Sequence, residues 1–138
     1  MTVQAYLEAL VAAARAVQPN AYVRASNFRV GAAVLSRDGR IFAGCNVENA
    51  SYGLTICAER GAVGTAVAAG ARDLVAVAVV TDLDEPARPC GACRQVLAEF
   101  GKDMQVILVG RGSGRRQLTL ASLLPEPFTF DDVDRGRS

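Results

Sequence analysis

No histidine occurs anywhere in the 138-residue chain, so a metal site in it has no imidazole to draw on. Charge of one sign is also missing: 15 Lys and Arg face 14 Asp and Glu, a net of +1. Such a balance sets up no field that would gather nucleic acid or an anionic membrane surface, and a small neutral partner, or none, is expected instead. The longest apolar run, Leu74 to Val80, falls far short of the roughly 20 residues that cross a bilayer as a helix. Met1 to Glu8 has no basic start leading into an apolar core, so it does not read as a secretory signal. The expected location is cytoplasmic. In that reducing compartment, cysteines at metal-ligand spacing read as ligands rather than disulfide partners. No internal repeat or low-complexity linker divides the chain, and a single domain over residues 1–138 is expected, burying roughly 70% of its unfolded surface.

Val3, Leu7, Leu10, Val11, Ala14 and Val17 recur at helical spacing, and Pro19-Asn20 closes that stretch. Arg29 to Ser36 and Ile41 to Asn46 flank Arg37-Asp38-Gly39-Arg40, where an Asp-Gly pair between β-capable runs signals a hairpin. Cys57 to Ala69, stopped by Gly70, reads as a second helix. Leu74 to Val80 is apolar throughout, as suits a central strand covered on both faces. A third helix is expected over Cys90 to Phe100, a strand over Gln105 to Val109, a glycine-rich turn over Gly110 to Gly114, and a last strand near Gln117 to Leu120. Asp131 to Ser138 is polar and expected to be loose at its end. Strands alternating with helices favour an α/β layered sandwich.

Three of the four cysteines fall in two phrases, Cys57-Ala58-Glu59-Arg60 and Pro89-Cys90-Gly91-Ala92-Cys93. Zinc accepts soft thiolates readily, and a zinc ion that does chemistry usually has three protein ligands and one open position. With no histidine, all three ligands must then be sulfur. Cys90 and Cys93, three apart in a first helical turn, face the same way, and Pro89 favours a helix start there. Cys57 also opens a helix, where unpaired N–H groups and the dipole help keep a thiol deprotonated. Glu59 is a carboxylate near one ligand, suited to moving protons, although in an ideal helix positions two apart do not face each other. Two other readings stay open: free cysteines packed as small apolar residues, and a closed structural site with Cys45 as fourth sulfur.

With these phrases the chain resembles the cytidine deaminases in their small all-cysteine zinc form. The resemblance also rests on Ser26-Asn27-Phe28-Arg29-Val30-Gly31-Ala32-Ala33, Gly44-Cys45-Asn46-Val47-Glu48-Asn49-Ala50-Ser51-Tyr52, Arg94-Gln95-Val96 and Leu123-Leu124-Pro125. It implies a three-layer α-β-α sandwich with a mixed five-stranded sheet and one Zn²⁺ per subunit on Cys57, Cys90 and Cys93. It implies hydrolytic deamination of cytidine and 2'-deoxycytidine to uridine and 2'-deoxyuridine with release of ammonia, Glu59 shuttling the protons. Asn46 and Glu48 would bind the ribose, Phe28 would pack on the base and the backbone of Ala58 would meet its amide edge. Ala50, Tyr52 and Phe128 would complete the pocket of a neighbouring subunit in a homotetramer. Arg60 is similar to the family arginine that donates hydrogen bonds to the zinc thiolates. The chain departs from the family at Arg24-Ala25, where Pro-Tyr is usual, which removes an aromatic surface relevant to assembly and substrate range.

If residues 44–48 stay extended, alternation puts Asn46 and Glu48 on one side. A carboxylate that accepts from a sugar hydroxyl would repel a 5'-phosphate, which favours nucleosides over nucleotides. Three thiolates around Zn²⁺ leave one negative charge, a poorer setting for acidifying water than the neutral-ligand sites that reach a water pKa of about 7. Arg60 and the helix N-termini would offset it. A deaminase of a cytosine-bearing antibiotic such as blasticidin S shares the fold and similar phrases, but Asn46-Val47-Glu48-Asn49 and Arg60 favour the ordinary nucleoside. The three arginines within Gly110 to Arg116 read as solvated side chains of a turn, since no aromatic groove accompanies them.

Overall fold

The computed structural model describes residues 2–112 and 114–135; Ser113 of the expected turn and residues 136–138 of the expected tail lie outside the described residues. Residues Val3–Tyr6 form a 3-10 turn that runs into α1 (Leu7–Val17), whose apolar stripe buries Leu10, Val11 and Ala14. A second 3-10 turn, Gln18–Asn20, ends the helix at Pro19, as proline's missing N–H requires.

The expected hairpin forms from β1 (Gly31–Ser36) and β2 (Ile41–Cys45), paired antiparallel with Leu35 opposite Ile41. Gly39 N–H donates to the Ser36 carbonyl at 3.0 Å, Ser36 N–H donates to the Arg40 carbonyl at 2.9 Å, and Gly39 sits at φ +91°. That left-handed residue lets a turn end in register with right-twisted strands, and glycine takes it without strain.

The rest of the chain is α2 (Ala58–Ala68), β3 (Leu74–Val80), α3 (Gly91–Phe100), β4 (Gln105–Val109), β5 (Arg115–Thr119), α4 (Leu120–Leu123) and α5 (Phe130–Arg135). Two details differ from the sequence reading. The last strand starts two residues early and stops at Thr119, because Thr119 Oγ1 accepts from Ser122 N–H at 3.2 Å and caps α4. A short helix that the sequence did not announce, α5, takes in Asp131 to Arg135 of the polar stretch expected to be loose at its end, and Thr129 N–H donating to Asp132 Oδ2 at 3.0 Å starts it.

The five strands lie in the order β2-β1-β3-β4-β5, with β3 and β4 parallel and every other pair antiparallel. The mixed sheet is the middle of three layers. On one face Leu10, Val11 and Ala14 of α1 pack on Ala33, Leu35, Ala78, Val80 and Ile107. On the other, Ala58, Ala62, Val63 and Ala66 of α2 and Leu97 of α3 pack on Ala32, Val34, Val77, Val79 and Leu108. β3 is buried along its whole length, which is why its sequence shows no alternation. Fully burying each such valine or leucine is worth roughly 1.5–3 kcal/mol.

One contact fixes where α2 begins. A Cβ on Gly44 of β2 would stand 2.3 Å from Ala62 N and 2.8 Å from the Ala58 carbonyl oxygen. The strand therefore lies directly against the first turns of α2, a closeness only glycine permits. The N-terminus of α2 is thereby set beside the carboxyl end of β3, the end of an open α/β sheet where ligands commonly bind.

Candidate active site

The two cysteine phrases meet at the N-termini of α2 and α3. Cys57 is the N-cap of α2, in extended backbone conformation at φ −71° and ψ 153°. Cys90 is the N-cap of α3, and its Sγ accepts from Cys93 N–H at 3.4 Å, a thiol doing the capping work of a serine. The Sγ atoms of Cys57, Cys90 and Cys93 lie within 4.8 Å of one another, with Cys57 and Cys90 3.9 Å apart. Sulfurs 2.3 Å from a tetrahedral zinc ion stand about 3.8 Å apart, so the donor set has the size and the softness for one zinc. Cys45 lies outside this group, so among the described residues the sulfur donors number three. Nor are Cys57 and Cys90 plain core packing, since Cys57 is half-buried and Cys90 exposed, although Cys93 beside them is buried.

Burial pushes the Cys57 and Cys93 thiols up, and for Cys93 the nearby Glu59 carboxylate adds to the rise. At Cys90 burial also pulls upward, but the Cys93 N–H and the thiols of Cys93 and Cys57 outweigh it and leave the group lowered. A divalent cation at their centre would favour the thiolate form of all three.

Glu59 stands in the first turn of α2, only 5% exposed. Burial raises its carboxyl above the usual range, opposed by its own backbone N–H and by the Cys93 thiol. Helical spacing alone does not bring Glu59 toward Cys57. The geometry does so because Cys57 is not helical, and from its extended N-cap it shares one cavity with Glu59.

That cavity, of about 220 Å³, is walled by Phe28, Asn46, Cys57, Ala58, Glu59 and Cys90, with Val79, Thr81 and Arg88 at the carboxyl end of β3 and before α3. Sequence reasoning missed Thr81 and Arg88; the nearness of Arg88 to Pro89-Cys90 was the available signal. Asn46 holds the segment that carries Phe28: its Oδ1 accepts from Val30 N–H at 2.9 Å and its Nδ2 donates to the Phe28 carbonyl at 2.8 Å.

Glu48 faces the same segment one alternation further on, accepting from Ala25 N–H at 2.8 Å, from Ser26 N–H at 3.1 Å and from the Ser26 hydroxyl. The Ser26 hydroxyl is the main cause of its lowered carboxyl pKa. Together with Tyr22, Arg24, Ala25, Asn49, Ala50 and Tyr52 it lines a second, open recess of about 490 Å³. The Arg24-Ala25 departure thus falls on the wall of that recess. Phe128 lies elsewhere, on the C-terminal segment, and is 63% exposed. Arg60 is exposed on the first turn of α2, and its guanidinium donates no hydrogen bond to, and forms no ion pair with, the described residues. Among those residues no helix is long and apolar enough to cross a membrane.

Residues 4–109 match the family model described as the cytidine and deoxycytidylate deaminase zinc-binding region. The chain is 48% identical over 126 residues to a cytidine deaminase of Halalkalibacterium halodurans, covering 91% of this chain and 96% of that protein. It is 46% identical over 117 residues to a cytidine deaminase of Mycobacterium tuberculosis, covering 85% of each. Among solved structures, the cytidine deaminase of Burkholderia pseudomallei superimposes with a TM-score of 0.84 at 49% identity, covering 88% of this chain and 98% of that one.

Proposed function

The chain belongs to the cytidine deaminase family, and on that footing we propose that it hydrolyses cytidine and 2'-deoxycytidine to uridine and 2'-deoxyuridine, releasing ammonia. One observation carries the reading: three thiols spaced for zinc and a buried carboxylate open on one cavity at the N-termini of two helices. Zinc held by Cys57, Cys90 and Cys93 would supply a Lewis acid that makes water nucleophilic near neutral pH.

The chain's own part is proton handling and orientation. Glu59 accepts a proton from the attacking water and delivers it to N3 of the cytosine ring as oxygen bonds to C4. It then passes the hydroxyl proton to the departing amino group, so the C4–N bond breaks with ammonia as leaving group. A carboxyl that serves as base and then as acid needs a pKa nearer neutrality than a free one, and burial pulls Glu59 that way. Ala58, wholly buried at the first turn of α2, would meet the amide edge of the base with its backbone. Phe28 would pack on the ring, and Asn46 and Glu48 would take the sugar, a carboxylate there disfavouring a 5'-phosphate.

Arg60 would offset the negative charge of a three-thiolate site. The variant Arg60→Gln is expected to keep most of its zinc while kcat falls about tenfold, the loss of one charge-assisted hydrogen bond that its guanidinium, exposed on α2, would make to a zinc thiolate once the ion is bound. Wild-type kcat in that variant would show that the helix N-termini suffice.

The active assembly is a homotetramer, with Ala50, Tyr52 and Phe128 completing the pocket of a neighbouring subunit. Tyr52 is 76% exposed in the single chain, and Leu54, Ile56, Tyr22 and Val47 are exposed as well, apolar side chains that a neighbouring subunit would cover. The reaction belongs in the cytoplasm, where the three thiols stay reduced and free to bind metal. Purified zinc-loaded protein should lower the ultraviolet absorbance of cytidine and deoxycytidine solutions and elute at four chain masses by light scattering. Turnover of blasticidin S without turnover of cytidine would move the assignment to an antibiotic deaminase.

A further inference from the structure

Two neighbouring side chains on α3, just past its second cysteine, reach to the C-terminal segment. Arg94 donates from Nε to the Pro89 carbonyl and from Nη1 to the Leu123 carbonyl, each at 2.9 Å. Gln95 uses both ends of its amide on one residue: Nε2 donates to the Phe128 carbonyl at 2.6 Å, and Oε1 accepts from Phe128 N–H at 3.2 Å. Both backbone groups of Phe128 are thus taken by a single side chain, as a paired strand would take them.

The stretch between these anchors, Leu124-Pro125-Glu126-Pro127, contains two prolines, which fix φ and leave little freedom to lose. Immediately after Phe128, the Thr129–Asp132 hydrogen bond starts α5. The backbone of Phe128 is therefore held on both sides and clamped in the middle, yet the residue as a whole stays 63% exposed. Ordering a backbone costs entropy, and an apolar ring in water returns nothing for it. The arrangement suits a ring set in place beforehand for a surface that the single chain does not hold.

We infer that Gln95 is a positioning residue for substrate binding, its amide fixing where Phe128 presents its ring to the cavity of a neighbouring subunit. This rests on the reading that Phe128 completes that cavity. A ring already in place lowers the ordering cost of nucleoside binding and has no part in proton transfer, so the effect falls on KM.

Gln95→Ala is expected to raise KM for cytidine roughly tenfold, the loss that one or two hydrogen bonds' worth of order brings. Its kcat, zinc per subunit and tetramer mass should match the wild type. Phe128→Ala should raise KM at least as far, and the double variant no further than Phe128→Ala alone. The chain has no tryptophan, so Phe128→Trp supplies a single indole that can be excited apart from the three tyrosines, and adding Gln95→Ala to it should lower its anisotropy. Wild-type KM in Gln95→Ala beside a raised KM in Phe128→Ala overturns the clamp and leaves the role of Phe128 standing. Wild-type KM in Phe128→Ala overturns both. Lost zinc or lost assembly in Gln95→Ala, or unchanged anisotropy at position 128, reduces Gln95 to a structural residue and also overturns the inference.

Discussion

Glu59→Gln protein should bind one zinc per subunit and turn over cytidine roughly a thousandfold more slowly than the wild type, within the span that general acid–base groups contribute. The substitution keeps the size of a side chain only 5% exposed and its capacity to hydrogen-bond, so the fold and the thiol cluster have no reason to change. Only the ability to take and return a proton is lost. Zinc measured by mass spectrometry and kcat from the absorbance assay separate the two effects. Activity within tenfold of wild type would remove Glu59 from the proton path; loss of zinc would make it a structural support for the site.

Cys93→Ser should lose both stoichiometric zinc and all measurable turnover, while Cys45→Ser keeps both. Cys93 is wholly buried at the third position of α3, and its sulfur lies within 4.8 Å of those of Cys57 and Cys90, so replacing it removes one of the three donors that would hold the ion. Cys45 stands outside the three-sulfur group. The thermal readout follows from linkage, because an ion that binds only the folded chain adds stability that vanishes with it. Chelator should lower the melting temperature of wild type and of Cys45→Ser by several degrees and leave Cys93→Ser, already metal-free, where it was. Zinc loss in Cys45→Ser instead would mean a closed four-sulfur site and no open position for water.

The sequence made the sheet and the ligands legible wherever a local pattern carried them. Seven apolar residues from Leu74 announce a strand covered on both faces, Asp38-Gly39 announces the hairpin, and the Pro89 phrase announces a helix start bearing two sulfurs. What stayed hidden depends on geometry that no spacing encodes. Glu59 shares a cavity with Cys57 because an N-cap is extended rather than helical, a difference of backbone angles and not of sequence separation. The edge strand β5 begins at Arg115-Arg116, residues that read as turn. They suit an edge because only β4 pairs with it and charge discourages further pairing. The amide of Gln95 finds Phe128 across 33 residues of chain, and nothing in either residue's neighbourhood foretells it.

The amide of Asn46 belongs to the cavity wall and to the scaffold at once. Both of its ends are committed to the Phe28–Val30 backbone, and the residue is 8% exposed. A group so occupied resists redesign, since exchanging it to admit a different sugar would leave a partly buried carbonyl and a partly buried N–H without this partner before any new ligand was met. Variation in substrate range is then channelled to the wall that carries no such duty, the side chains of Arg24 and Ala25 in the open recess. Directed evolution toward modified nucleosides should accumulate its changes there and leave position 46 untouched.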